Sequence, residues 1–382
     1  MSRRPLALAI SAAFISPTAF ADVEFGFVSI YGTLHSAVEV ISVDSENSTV
    51  APTKDSQARL ADQTSRLGVK ARYNVGQDTF ALAQVESRLY LGNGGDSTDN
   101  KAELGTRNTF VGVENKQLGT LLLGRYDNAY KLSLKAFAPT IYGNLNDAVS
   151  DYGSKQILNR LGFRQGDMLS YESPMLGGFS AGLSYNFGKD ALTGATDLQG
   201  QVGVSLAYRQ GPLSLGLGYA SLSNASWNMA SSSALAAKNN PGNQSLDSVQ
   251  FGGDYKFGKF SIGGVYERTA SSLSASTAVP PVAAFDQSQV TYGLTGGYRD
   301  GPLTVQVRMA RADDVDGTTV TDTGAYQLGA ALRYQFHKHM AVITSLTSVQ
   351  NERNASFTSF SGFALDKGSS MTQLAVGLAV TF

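Results

Sequence analysis

Arg66, Lys70 and Arg72 stand at even positions of a run in which apolar and polar residues alternate, so all three project from one face of a single strand. Gln84, Glu86 and Arg88 share one face of the next run, and Arg107 opens the run after that. Arg125 lies near the end of the following one, on the face opposite Leu122 and Tyr126, which are read as facing lipid. Alternation then stops from Asp127 to Asp167, a stretch carrying Asp147 and Asp151 together with Lys155, Arg160 and Arg164. Rows of cations on one wall, met by carboxylates on a segment folded towards them, create a transverse electric field. Fixed charges of this kind let a water-filled passage discriminate between ions without holding them tightly, and a low-dielectric wall focuses their field. The competing reading is a solvated polar face with no selective role.

Other chemistry finds little support. The three histidines, His35, His337 and His339, accompany no arrangement of nucleophile, base and orienting group, and the last two sit in an expected tight turn. Asp313-Asp314-Val315-Asp316-Gly317 has part of a calcium loop's spacing but lacks the full ligand series and closing glutamate, so it reads as an acidic exposed loop. Gly92-Asn93-Gly94-Gly95 is glycine-rich outside the strand-to-helix context of a phosphate loop. Cysteine is absent, which removes disulfides and thiolate metal sites. Neither a cofactor nor a metal is expected.

The elements that position the charges repeat along the chain. Sixteen runs of about ten residues alternate in hydropathy, the first Phe25–Ser42, the second Thr64–Val75 and the last Met371–Phe382. In the last, Leu374, Val376, Leu378 and Val380 oppose Gln373, Ala375, Gly377 and Ala379. Seven connections are short and rich in turn formers, such as Gly211-Pro212, Gly258-Lys259 and Asp300-Gly301-Pro302, whereas eight are long and polar. An even strand count with short turns at one end and long loops at the other marks a transmembrane antiparallel β-barrel of the bacterial outer membrane. The fold class is therefore all-β, its apolar face towards lipid and its polar face towards a lumen wide enough for water. A soluble β-sandwich also alternates, but with its apolar face inward. The stretch 127–167 is the third long loop, expected to fold into the pore.

The beginning of the chain addresses it. Arg3-Arg4, the apolar run Pro5 to Ile15 and Ala19-Phe20-Ala21 have the order of an export signal, which predicts a signal peptide over 1–21 and a barrel over 22–382. Nothing later reaches the roughly twenty consecutive apolar residues of a membrane helix. Without Arg3 and Arg4 there remain 28 basic residues against 31 acidic, and a net negative chain points away from nucleic acid.

Ile30-Tyr31-Gly32-Thr33-Leu34, Ser65-Arg66-Leu67-Gly68-Val69, Phe110-Val111-Gly112-Val113, Leu123-Gly124-Arg125 and Ser170-Tyr171-Glu172-Ser173-Pro174 resemble the Gram-negative general porin family, in particular its β-proteobacterial and neisserial branch. The terminal Phe382 fits the same pattern. The resemblance spans the expected mature chain. It implies a homotrimer of sixteen-stranded barrels in outer-membrane lipid, the third loop in each pore, passing small hydrophilic solutes and ions by passive diffusion. It also implies that Phe382 is read by the outer-membrane assembly machinery, that Arg66 and Arg107 are constriction arginines, and that Arg164 is another. Two departures stand out. Ala136-Phe137-Ala138-Pro139 lies where the family carries a Pro-Glu-Phe-Gly-like centre, and Ala379-Val380-Thr381 replaces the basic residues before the final phenylalanine. A channel preferring sugars, aromatic acids or organic anions is the nearest alternative, and a barrel-anchored adhesin or enzyme a more distant one.

Overall fold

The structure, a computed structural model, describes residues 23–46, 48, 56–91, 104–135, 157–187, 200–223, 229–230, 244–274, 283–358 and 365–382. The strands of its first half are β1 Val23–Phe25, β2 Val28–Asp44, β3 Gln57–Asp62, β4 Arg66–Gly76, β5 Thr79–Arg88, β6 Thr109–Asn115, β7 Gly119–Asp127, β8 Arg164–Glu172 and β9 Phe179–Asn186. The second half comprises β10 Gln201–Gln210, β11 Leu213–Leu222, β12 Gln244–Phe257, β13 Phe260–Leu273, β14 Phe285–Asp300, β15 Leu303–Ala312, β16 Ala325–His337, β17 Met340–Asn351 and β18 Ser370–Thr381. A short helix, α1 Ala129–Lys135, follows β7.

All the strands join one antiparallel sheet that closes on itself. β2 pairs with β18 from Thr33↔Thr381 to Asp44↔Ser370, and on its other side with both β3 and β4. β3 and β4 are therefore two halves of one stave, and the barrel has sixteen staves with β1 as an extra strand. The break between the halves falls at Gln63-Thr64-Ser65, where Thr64 takes φ 60°. Ser65 fills the gap in the ladder: its Oγ accepts from the His35 N–H at 2.9 Å and donates to the His35 carbonyl at 3.2 Å. The expected start of the second strand at Thr64 thus becomes a kink within a strand that begins at Gln57. The expected start of the first at Phe25 becomes a hairpin, because Gly26 at φ 66° folds Val23–Phe25 back onto Val28–Ile30.

Side chains alternate as the sheet requires. On β18, Leu374, Val376 and Leu378 are 45%, 48% and 45% exposed, whereas Gln373 and Ala375 are each 2% exposed. The apolar face is the outer one, and the buried face carries Ser, Thr, Gln and charged residues. Aromatic pairs gather beside the short turns, including Phe27 with Tyr73, Phe179 with Tyr208, and Phe260 with Tyr298. They form one of the girdles that a barrel sets at a membrane surface. The turns are glycine-led, with Gly211, Gly258 and Gly301 all at positive φ. Lys116–Asp78 and Lys259–Asp300 tie neighbouring turns together at 2.6 and 2.7 Å.

The ring is sealed at its last residue. Phe382 N–H donates to the Gly32 carbonyl at 3.1 Å, and Gly32 N–H donates to the Phe382 carbonyl at 2.8 Å. The Phe382 ring lies on Gly32 so closely that a Cβ there would stand 2.5 Å from the ring. Gly32→Val should therefore weaken closure, whereas Gly329→Ala, whose added Cβ would meet no atom nearer than 3.7 Å, should not. Heat-modifiable electrophoretic migration of the folded barrel measures this: a fall in the melting midpoint for Gly32→Val alone is the expected result.

Candidate functional site

The third long loop leaves β7 and returns to β8, and both of its described ends turn into the barrel. Asn128 caps α1, its Oδ1 accepting from the Lys131 N–H at 2.9 Å while its Nδ2 donates to the Leu161 carbonyl and to Gln201. A helix of seven residues has little stability of its own, so the wall must hold it. The Ala129 N–H donates to Ser184 Oγ at 2.9 Å, Tyr130 shares a 2.7 Å hydroxyl bond with Ser248, and Gln250 Nε2 donates to the Tyr130 carbonyl at 2.6 Å. Close approach is possible because Gly203 and Gly218 lie beneath: a Cβ on Gly203 would stand 3.3 Å from the Ala129 and Tyr130 nitrogens, and one on Gly218 2.5 Å from Ser133 Oγ.

The returning limb is anchored further round the ring. Glu267 on β13 accepts from the backbone N–H groups of Asn159 and Arg160, the latter at 2.8 Å. The fully buried Arg160 side chain reaches Gln289 on β14 and donates to the Met229 carbonyl at 2.7 Å. Burial among these groups lowers its pKa to about 10. Asp127 then clasps the two ends of the loop, accepting from Lys131 Nζ at 2.8 Å and pairing with Arg164 at 3.2 Å. Inside the barrel the described limbs of the loop thus lie along β9–β14, with the wall of β2–β6 across the lumen from them.

That opposite wall carries the cations. Arg66 and Arg88 are direct cross-strand partners, an arrangement that repels unless each charge is compensated. Glu86 and Asp62 supply the compensation, at 3.9 Å from Arg66 and 3.8 Å from Arg88. Glu86 also accepts from Arg107 Nε at 2.6 Å and from the Tyr31 hydroxyl at 2.9 Å. Tyr31 can reach it only by crossing Gly68, where a Cβ would stand 2.3 Å from the tyrosine ring. Lys70 Nζ lies 5.1 Å from the centroid of that ring. Charges with side chains this confined are rigid features of the wall.

The expected site residues do not all converge. Arg66, Arg88 and Arg107 do. Arg72 lies nearer the short turns, bonded to both carboxylate oxygens of Glu114 at 3.0 and 3.2 Å and placed over Phe80. Arg164 is part of the loop clasp. The orientation expected around Arg125 is corrected: Leu122 is 4% exposed and faces inward, while Leu121 and Leu123 are 39% and 49% exposed. Tyr126, which shares the parity of Leu122, turns inward as well and meets the Phe110 ring edge-on, and a bulge between Gly124 and Tyr126 shifts the register against β8. Gly124, at φ 136°, makes the bulge possible. Arg125 Nε donates to the Thr106 carbonyl at 3.1 Å, which directs it to the connection after β5. Asp147 and Asp151 lie outside the described residues. Among the described residues no group of three or more His, Cys, Asp or Glu could hold a metal ion.

A closed barrel with a polar lumen, a cationic wall and a loop seated inside it is the architecture of a diffusion channel, and the comparisons agree. A family model described as Gram-negative porin matches residues 7–354. The chain belongs to that family. It is 27% identical over 276 residues to outer membrane porin protein 32 of Delftia acidovorans, covering 70% of each chain. It is 28% identical over 178 residues to major outer membrane protein P.IB of Neisseria sicca, covering 47% of this chain and 45% of that protein. Among solved structures, the anion-selective porin from Comamonas acidovorans superposes with a TM-score of 0.73 at 21% identity, over 93% of this chain and 99% of that one. OmpT of Vibrio cholerae in its trimer form gives 0.67 at 16% identity, over 94% and 100%. This porin is an outer-membrane channel for passive diffusion.

The porin's lumen carries further charges that the sequence reading did not single out as site residues. Arg308 and Arg333 face inward from β15 and β16, and Arg209 and Asp254 from β10 and β12. Strand parity marked them as lumenal, but nothing local ranked them above other polar positions. The loop anchors Glu267 and Gln250 were equally silent, since their partners lie more than a hundred residues away. Glu267→Ala should release the returning limb by leaving two buried N–H donors unsatisfied, at a cost of about 1–3 kcal/mol each. Raised single-channel conductance and faster proteolysis within 157–163, in a barrel that still migrates as folded, are the expected results.

Proposed function

We propose that this porin prefers anions and that Arg66 and Arg107, held by Glu86, set the preference. The observation that carries this reading is the charge balance of the wall facing the loop. Along this wall the pairs Arg59–Glu39 and Arg72–Glu114 cancel, while Arg66, Lys70, Arg88 and Arg107 stand against Glu86 and Asp62, four cations to two carboxylates, which leaves a positive excess. Arg72 and Arg164 are matched by Glu114 and Asp127 and Arg125 lies at the outer rim, while Asp147 and Asp151 are the carboxylates expected to face the wall. The anion-selective character of the Comamonas porin agrees with this reading. Solutes pass chemically unchanged.

The same proposal extends to assembly. Residues 1–21 serve as the export signal, Phe382 is read by the outer-membrane assembly machinery, and three copies pack through their apolar outer faces. The trimer form of the Vibrio cholerae protein supports the last point.

Planar-bilayer recording under a salt gradient tests the central claim. Arg66→Ser and Arg107→Ser should each move the reversal potential towards that of a cation-preferring pore, and Glu86→Gln should move it the other way. Unchanged reversal potentials in both arginine variants would overturn the assignment.

A further inference from the structure

On the wall of β2–β6 each arginine has a carboxylate: Arg66 and Arg107 share Glu86, Arg72 has Glu114 and Arg88 has Asp62. Arg299 on β14 and Arg333 on β16 are placed differently. Both face inward by strand parity, and both are register partners of Thr304 on β15, so a single hydroxyl stands between them in one row across three strands. Among the described residues neither side chain makes a hydrogen bond or an ion pair. Asp300, next to Arg299 in the chain, is taken up by Lys259 and Tyr298. Asp254, two strands away on β12, is matched by Lys256 and Arg209. The other neighbour of Arg333 is His35, whose Nε2 lies over Gly377. The two guanidiniums therefore act on each other with no negative charge between them.

The row is open to solvent. Arg299 is exposed, and Thr304 and Arg333 are half-buried. Gly297, Gln306 and Ala331 make the next row of the same wall, and these are half-buried too. Glycine and alanine keep the floor beside Gln306 low, so a solute can lie against the wall there. Arg299 directly precedes the turn at Asp300-Gly301-Pro302, which places the row at the short-turn mouth of the barrel, the periplasmic end of a porin. Arg66, by contrast, stands at the end of β4 remote from its short turn.

Two inter-strand spacings separate Arg299 from Arg333, about 9–10 Å between backbones. A guanidinium presents its donors as a planar fork, and its bonds to anionic oxygens are about 2.7–2.9 Å long. Two forks at that separation leave room for one small anion between them, with the Thr304 hydroxyl beneath it. A carboxylate holds its two oxygens in one plane and answers a single fork, whereas a tetrahedral centre has oxygens for both forks and for the hydroxyl. We propose that Arg299, Thr304 and Arg333 form a subsite for a tetrahedral oxyanion, inorganic phosphate or sulfate, at the periplasmic mouth of the pore. Each of the three can donate to the anion, and the bound dianion replaces the repulsion between the guanidiniums with two attractions. With no acceptor carboxylate in the row, the site has no group that would reject sulfate in favour of protonated phosphate. The subsite stands apart from the Arg66–Arg107 wall and does not depend on the anion preference proposed for it.

The test is single-channel recording of the full-length porin in potassium chloride, with phosphate and sulfate as probes. Acetate and succinate serve as controls, the second a dianion whose charge is divided between two carboxylates. Phosphate and sulfate should reduce the chloride current saturably, and at lower concentration than either control. Arg299→Gln and Arg333→Gln should each raise the half-blocking concentration of phosphate about tenfold, the loss of one charge-assisted contact. Arg66→Ser, on the other wall, should leave that concentration where it is. Heat-modifiable migration confirms that the variants are folded. Current changing in simple proportion to phosphate concentration in the parent porin would overturn the proposal, as would block by succinate equal to that by phosphate. So would saturable block undiminished in both Arg299→Gln and Arg333→Gln, or a loss in Arg66→Ser as large as theirs, which would locate the block at the opposite wall.

Discussion

In hydrocarbon every backbone N–H and C=O must find a partner within the protein, and this requirement shapes the rest of the molecule. An open sheet cannot meet it, so the first and last full-length strands pair and Phe382 completes its bonds on Gly32. Closure turns each strand's apolar residues outward and leaves the polar ones facing a lumen. The barrel therefore has no conventional apolar core to hold a loop inside it. Whatever lies in the lumen must be fixed by hydrogen bonds, ion pairs and the fit of small residues.

The inward loop is held in this way. Its helix is too short to persist alone, and it lies on glycines whose missing side chains admit backbone to backbone contact. Ser184, Ser248 and Gln250 then bond to it directly. Apolar contacts complete the seat locally, Tyr130 and Leu161 with Ala220, Leu222 and Leu246, and Leu158 with Phe357. Charge is used at the mechanically important points: Asp127 closes the neck of the loop, and Glu267 receives its returning backbone. Removing one partner from a buried pair leaves an uncompensated charge, which is far more costly than losing a surface bridge. The loop's position is therefore tied to a few side chains on the wall.

Much of this architecture was legible in the sequence because alternation is local. Residues two apart report the same face, so strand number, the identity of the outer face, and the placement of Arg66, Glu86 and Arg88 all followed from spacing. Parity is ambiguous where the alternation lapses: Leu121-Leu122-Leu123 is apolar throughout, so Leu122 and Tyr126, which share a parity, read as facing lipid although both turn inward. The kink at Thr64 and the bulge after Gly124 depend on single backbone torsions that alternation does not record. The loop's anchors were not legible for a different reason. Arg160 meets Gln289 and Glu267 only after the ring has closed, and no spacing along the chain records that meeting.

Rigid pairing also explains how a chain with a formal net charge of −1 can present a positive wall to a permeating ion. At physiological salt a charge is felt over about 8 Å, so carboxylates elsewhere on the barrel are screened from the lumen, whereas those on the wall are not. Within that range two unit charges 4 Å apart interact by about 4 kcal/mol at an effective dielectric constant of 20, enough for one misplaced carboxylate to cancel an arginine. Glu86 avoids this by serving Arg66, Arg107 and Tyr31 together, fixing two cations with one negative charge. A lone arginine there would be uncompensated but free to swing away, and the repulsion between Arg66 and Arg88 would drive it to do so. The shared carboxylate gives up part of the field to hold the remainder in place.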